Sequence, residues 1–307
     1  MSTATLNQTR PLEHRPPPTR PGPVLLAIGG REPAAPLRFA RALGLDARDV
    51  VVLSVVDPMP VPVFAGSVEI VPVPLEIDAE RLERQREWVR ALVARTVDAP
   101  WRVEIRTGDA GDVVLHAARE HDVSLVVMGI GRHRPIDRLL AAETTIHVAR
   151  RLDRPLLAVA GEARGPVRNA IVAMDFTPSS VCAAELAIPL LAPGATLHLV
   201  HAWMRWPIDA GFVRAQEDLY EREIPSQLEA LARSLDVPPG ITVREALVTG
   251  PAAEAVLEYA RAQNADLVVA GRSGMGTLER LALGSVTSAL LRGSTCSVLV
   301  GPPETSP

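Results

Sequence analysis

The same order of elements is written twice along this chain, and that duplication limits the folds open to it more than any other feature. In the first half an apolar run at 24–28 is followed by a helical pattern at 34–43 and a second apolar run at 49–56. The counterparts in the second half lie at 170–174, 179–191 and 196–202. Further on, the run at 124–129, closing on Gly129, matches that at 266–271, closing on Gly271, and 154–159 matches 295–300. Short Val, Ile and Leu runs with no polar face, alternating with amphipathic patterns such as 251–261, predict parallel strands covered by helices on both faces. Right-handed crossovers then give each half an α/β, doubly wound, Rossmann-like sheet of five parallel strands. Its ligands sit beyond the carboxyl ends of the strands, where the winding reverses.

The expected domains are 23–162 and 167–301, with a linker at 164–168. Residues 1–22, rich in proline (Pro11, Pro16, Pro17, Pro18, Pro21), are expected as a disordered tail. A proline-rich excursion at 58–76 between the second strand and second helix of the first half is expected as a surface loop.

With 307 residues, 47% hydrophobic and 22% charged, the chain has material for two soluble domains, and its net charge of −4 provides no basic field for nucleic acid or an anionic membrane. All 32 basic residues are arginine, which removes the P-loop lysine, Schiff-base and pyridoxal-phosphate chemistries at once. Cys182 and Cys296 stand far apart in apolar stretches, supporting neither a disulfide framework nor a zinc site; inert buried thiols are expected. No 18-residue apolar span or signal-peptide pattern is present, so a cytoplasmic location is expected.

Between the fourth strand and the last helix of the second half stand Gly271 and Gly274, then nine residues, then Gly284 and Ser285. Glycines at such places let bare backbone N–H groups approach a phosphate, and the loop ends at a positively polarised helix N-terminus that needs no cationic side chain. With the 171–179 segment, the 199–202 segment, Gly250 and the closing strand at 296–300, both halves together resemble the universal stress protein family over 23–301. The resemblance implies the adenine nucleotide alpha hydrolase-like fold and ATP as the bound cofactor, with magnesium as an optional companion. It puts Asp175 at the adenosine moiety and Ala202 against adenine through its backbone. Gly271 and Gly274 would then lie beside sugar and phosphates, and Gly284, Ser285, Val286 and Thr287 at the start of the last helix. Alone, Asp175 would read equally well as an Asx-type helix cap, Gly284 as a helix-entry turn and Ser285 as an N-cap. Arg272 and Arg280 are expected at the surface, outside the site.

The first half departs from the motif: Arg132 stands for Gly274, Ala142 for Gly284, Glu143 for Ser285 and Gly29 for Asp175. A Cβ at the glycine positions and a carboxylate at the helix start would exclude a phosphate, so this half is expected not to bind ATP in the family manner. The resemblance also implies that the two halves pair through their last strands as an intramolecular pseudo-dimer, with a homodimer of chains left open. No catalytic group and no metal set is expected. His198 and His201 read as core or site-lining residues, and Glu217, Asp218, Glu221 and Glu223 as a solvated helix face. The function implied is an ATP-binding, stress-associated regulator acting on a protein partner the sequence does not name. The alternatives are a slow ATP hydrolase or phosphoryl-transfer enzyme of related fold, and a purely structural pairing module.

Overall fold

The computed structural model describes residues 22–29, 33–45, 49–56, 61–65, 69–73, 79–130, 135–161, 163, 165–205, 211–272 and 283–303. The first half contributes β1 (Val24–Ile28), α1 (Ala34–Ala42), β2 (Val50–Val56), β3 (Val61–Ala65), β4 (Glu69–Val73), α2 (Ala79–Thr96), β5 (Arg102–Thr107), α3 (Ala110–Glu120), β6 (Leu125–Ile130), α4 (Pro135–Arg151) and β7 (Leu156–Ala160). The second contributes β8 (Val167–Ala173), α5 (Pro178–Ala187), β9 (Leu191–Trp203), α6 (Gly211–Ser234), β10 (Thr242–Thr249), α7 (Ala252–Ala262), β11 (Leu267–Ala270), α8 (Ser285–Gly293) and β12 (Ser297–Val300).

Ten strands form one sheet in the order β10-β9-β8-β11-β12-β7-β6-β1-β2-β5. Within each half of this sheet every pairing is parallel, and the half's first strand (β1 or β8) lies in the middle, with β2 and β5 or β9 and β10 to one side and β6 and β7 or β11 and β12 to the other. The most apolar strands are those buried on both faces: β7, β11 and β12 expose none of their residues, and Ser297 of β12 is the one polar side chain among them. The two halves meet where β12 runs antiparallel to β7, with Val298 opposite Ala158, Leu299 opposite Leu157 and Val300 opposite Leu156. The Ala160 N–H adds a bond to the buried Ser297 Oγ at 3.2 Å. Two edges that would otherwise invite association with other chains are thereby covered.

Burial follows the sheet rather than the halves. On one face a single apolar core runs from Leu26, Val52 and Leu157 to Leu299, Val269 and Leu199, roofed by α1, α2, α5 and α6 residues such as Phe39, Val89, Ala183 and Leu228. On the other, the first half's core takes in Leu283 and Leu291 from the second half.

The excursion expected as a loop holds an antiparallel hairpin, β3 with β4, in which Pro62 faces Pro72. Opposed residues in such a ladder are either both bonded or both unbonded; two prolines, having no N–H, fit only the unbonded pair, so neither breaks the hairpin. Among the described residues no helix is long and apolar enough to cross a membrane.

Candidate functional site

The winding of the second half reverses between β8 and β11, so its crevice lies beyond Ala173 and Ala270. Just past β8, Asp175 is half-buried, and its Oδ1 accepts hydrogen bonds from the Thr177 N–H at 3.1 Å and the Thr177 hydroxyl at 2.6 Å. Thr177, not Asp175, caps α5, its Oγ1 accepting from the Ser180 N–H at 3.3 Å. Between them Phe176 has φ 62°, a left-handed conformation costly for an aromatic residue and held here by the turn on either side.

The end of β11 is fastened to two helix starts. A Cβ on Gly271 would come within 2.8 Å of the Ser179 carbonyl carbon and 2.9 Å of the Ser180 nitrogen, so glycine is required there for the strand to pass the first turn of α5. The sequence reading assigned Gly271 to ligand approach alone; its packing role comes from this tertiary contact. The Thr287 hydroxyl, on the first turn of α8, donates to the Gly271 carbonyl at 2.7 Å, and the Gly284 N–H donates to the Arg272 carbonyl at 2.8 Å. Thr287 is 4% exposed and its hydroxyl proton is already engaged. Gly284 is the N-cap of α8, with φ −59° and ψ 152° and no side-chain cap. Those angles are open to any residue, so backbone freedom is not what glycine supplies at 284. The N–H groups of Ser285, Val286 and Thr287 belong to the first turn of α8, where a helix supplies no acceptor of its own. Ser285 is exposed and Val286 half-buried. Gly274 and Arg280 lie outside the described residues.

Arg272 is the residue that sequence reasoning misplaced. Expected at the surface, it is 5% exposed: its N–H donates to Ser179 Oγ at 2.9 Å, and its guanidinium donates to the Arg150 and Leu152 carbonyls at the end of α4 in the other half. The geometry explains the burial, because the last carbonyls of a helix lack internal partners and carry its negative pole.

Ala202, half-buried near the end of β9 and opposite Val248 on β10, sits between two aromatic-facing neighbours. His201 Nδ1 lies 2.7 Å from the Met174 carbonyl, which can only accept, so Nδ1 carries the proton; Nε2 then accepts from the Tyr220 hydroxyl at 2.5 Å. Burial holds the His201 imidazole below its ordinary proton affinity, against the opposing pull of the Met174 bond and of Asp175. The ring centroid of Phe176 is 5.1 Å from His201, and that of Tyr220 5.3 Å from Trp203, with the Arg205 guanidinium 5.6 Å above the Trp203 ring. Of this aromatic wall beside Asp175 the sequence singles out His201 alone, as a core or site-lining residue; its partner Tyr220 comes from α6 and has no sequence signal. On the opposite face of β9, His198 Nδ1 lies 3.0 Å from the Tyr259 hydroxyl.

In the first half, α4 starts at Pro135, so Ala142 and Glu143, expected at a helix entry, lie inside a 17-residue helix, whereas α8 has nine. The Glu143 carboxylate accordingly guards no helix start; it pairs with Arg292 of α8 at 3.0 Å. Ala142 continues the helix where Gly284 ends the approach to one. Arg132 lies outside the described residues. Elsewhere, Asp109, Asp112 and His147 bring their ligand atoms within 4.8 Å of one another, but Asp109 caps α3 and Asp112 is shared with Arg151 at 3.1 Å, a surface ion-pair network. Both cysteines are half-buried; burial, with Glu185 nearby, pushes the Cys182 thiol up to about 11.

The universal stress protein family profile matches the chain twice, over residues 22–160 and 166–302. The chain belongs to the universal stress protein family. A universal stress protein of Mycobacterium tuberculosis strain H37Rv is 29% identical over 187 residues, 58% of this chain and 58% of that protein, so the match spans a little over half the relative's length. One from Thermus aquaticus is 34% identical over 113 residues, covering 36% of this chain and 79% of that one. The crystal structure of a universal stress protein from Archaeoglobus fulgidus superposes over 93% of this chain and 97% of its own, with 18% identity and a TM-score of 0.60, a likeness of fold. The tandem arrangement of this universal stress protein is thus a duplication of the family's domain within one chain.

Proposed function

We propose that this universal stress protein is an ATP-binding regulator of a stress response, with a single nucleotide held by its C-terminal half. The observation that carries the reading is the opening of α8: an N-cap with no side chain and no side-chain cap, beyond the carboxyl end of the strand next to the winding reversal. Main-chain N–H groups of Ser285, Val286 and Thr287 would meet phosphate, with Gly271, Gly274 and Gly284 as the bare-backbone approach. The Asp175 carboxylate would accept from a ribose hydroxyl or the adenine amine, and the backbone at Ala202 would read the base edge. The donor set suits a polyphosphate, since a chain without lysine must neutralise it with dipoles and arginine. Support for a single site comes from α4, whose early start leaves no helix opening at the corresponding place. Bound nucleotide regulates by favouring whichever arrangement of the chain binds it more tightly, which a protein partner then reads.

Titration calorimetry with ATP, with and without magnesium, tests this: close to one ATP per chain is expected. Replacing Gly284 with leucine should abolish binding while the far-UV circular dichroism melt stays near that of the wild type. Two ATP per chain would overturn the reading of the first half, and none would overturn the site. AMP and cyclic AMP in the same titration decide whether the outer phosphates contribute.

A further inference from the structure

We propose that the N-terminal half, which lacks the glycine motif, completes the nucleotide site of its twin from across the junction, with Arg272 as the positioning residue. The inference rests on the nucleotide reading above and deepens it. All three kinds of polar group on Arg272 are committed to different elements. Its N–H is held by Ser179 at the start of α5, its carbonyl receives the Gly284 N–H at the start of α8, and its guanidinium is fastened to the Arg150 and Leu152 carbonyls at the end of α4. One residue therefore fixes the strand end, both helix openings of the site and a helix of the other half relative to one another. A guanidinium buried to this degree is costly without acceptors, so the side chain is locked to α4 and the backbone at 271–272 cannot shift without breaking that tie.

The far side of α8 is fastened to the same partner. Arg292 pairs with Glu143, and Leu283 and Leu291 sit in the apolar core of the first half. The helix whose N–H groups would meet phosphate is thus aimed by contacts with a domain that binds none. On this account the first half, without the motif and with an α4 that runs through 142 and 143, serves as the anvil against which the second half's site is shaped. Occupancy at Gly284 must then be felt at the end of α4.

The test uses the full-length chain as wild type, Arg272→Met and Arg272→Lys, with ATP as the probe. Calorimetry gives affinity, and hydrogen–deuterium exchange with and without ATP follows the peptide that covers the end of α4. Arg272→Met should weaken ATP binding about tenfold or more, as expected for lost charge-assisted hydrogen bonds, with Arg272→Lys between it and the wild type. In the wild type ATP should slow exchange at the end of α4, and in Arg272→Met that response should vanish, which a residue of purely structural importance would not predict. Arg272→Met binding as tightly as wild type, or a saturated wild type with unchanged exchange at α4, overturns the proposal. Should Arg272→Met fail to fold, Arg272→Lys and the wild-type exchange comparison decide it alone. A wild type that binds no ATP overturns the nucleotide reading, and this inference with it.

Discussion

Two glycines of one motif hold their places for different reasons. Gly271 is required by the backbone of Ser179 and Ser180, which a methyl group would overlap, whereas Gly284 adopts angles any residue tolerates. Gly271→Ala should therefore destabilise the fold by about 1–3 kcal/mol, as overpacking against main chain does, while Gly284→Ala leaves the melting temperature nearly unchanged. Thermal melts of the two variants, paired with ATP titrations, separate the roles. The motif was legible from spacing alone; the division of labour within it was not, because the atoms that crowd Gly271 come from a helix some ninety positions earlier. His201 offers a second test. Burial depresses its native proton affinity below the ordinary value of 6.5, and His198 is shifted in the same direction by burial and Arg244. Between the native values and 6.5 the unfolded chain binds more protons, so stability is fully present above 6.5 and lost as pH falls through the native values. His201→Gln should flatten that slope in melts taken below pH 6.5. The effect of Glu104 begins lower, below 4.5: burial raises its proton affinity, but hydrogen bonds from Arg106 and His121 outweigh it and hold the carboxyl down.

Among elements, the informative pair is α4 and α8, equivalent by duplication and unlike in length. Restoring Gly and Ser at 142 and 143 should not create a second ATP site, because those positions lie within a helix that begins at Pro135; calorimetry on the double variant is expected to stay near one ATP per chain. Glycine inside that helix would instead cost about 1 kcal/mol. Loss of the Glu143–Arg292 pair adds little, since both side chains are more than two-fifths exposed. The sequence reading compared the two halves position by position and so carried the helix start of α8 onto α4. Helix propensity over 135–143, not the motif, decides where α4 begins. The β3–β4 hairpin escaped for the opposite reason: its prolines read as breakers, although Pro62 faces Pro72 where no ladder bond is needed.

At the scale of the whole molecule, the alternation of apolar runs and helical patterns was enough to read each half as a parallel, doubly wound sheet, because crossover handedness and two-sided burial leave few choices. What no periodicity encodes is that one core passes beneath both halves. Leu157, fully buried at the β7–β12 junction, belongs to that core. Leu157→Ala should cost about 2–5 kcal/mol and lower a single calorimetric transition for the entire chain, not split off one half. Two resolved transitions in the wild type would show that the junction does not couple the halves.

Because β7 and β12 run in opposite directions, the mouths of the two halves open at opposite ends of the sheet. The protein is two-headed: the rim beside Gly284 and the corresponding rim of the first half face away from each other. Should nucleotide occupy the second half as proposed, this reversal would confine its signal to one end of a single polypeptide and leave the opposite end out of reach.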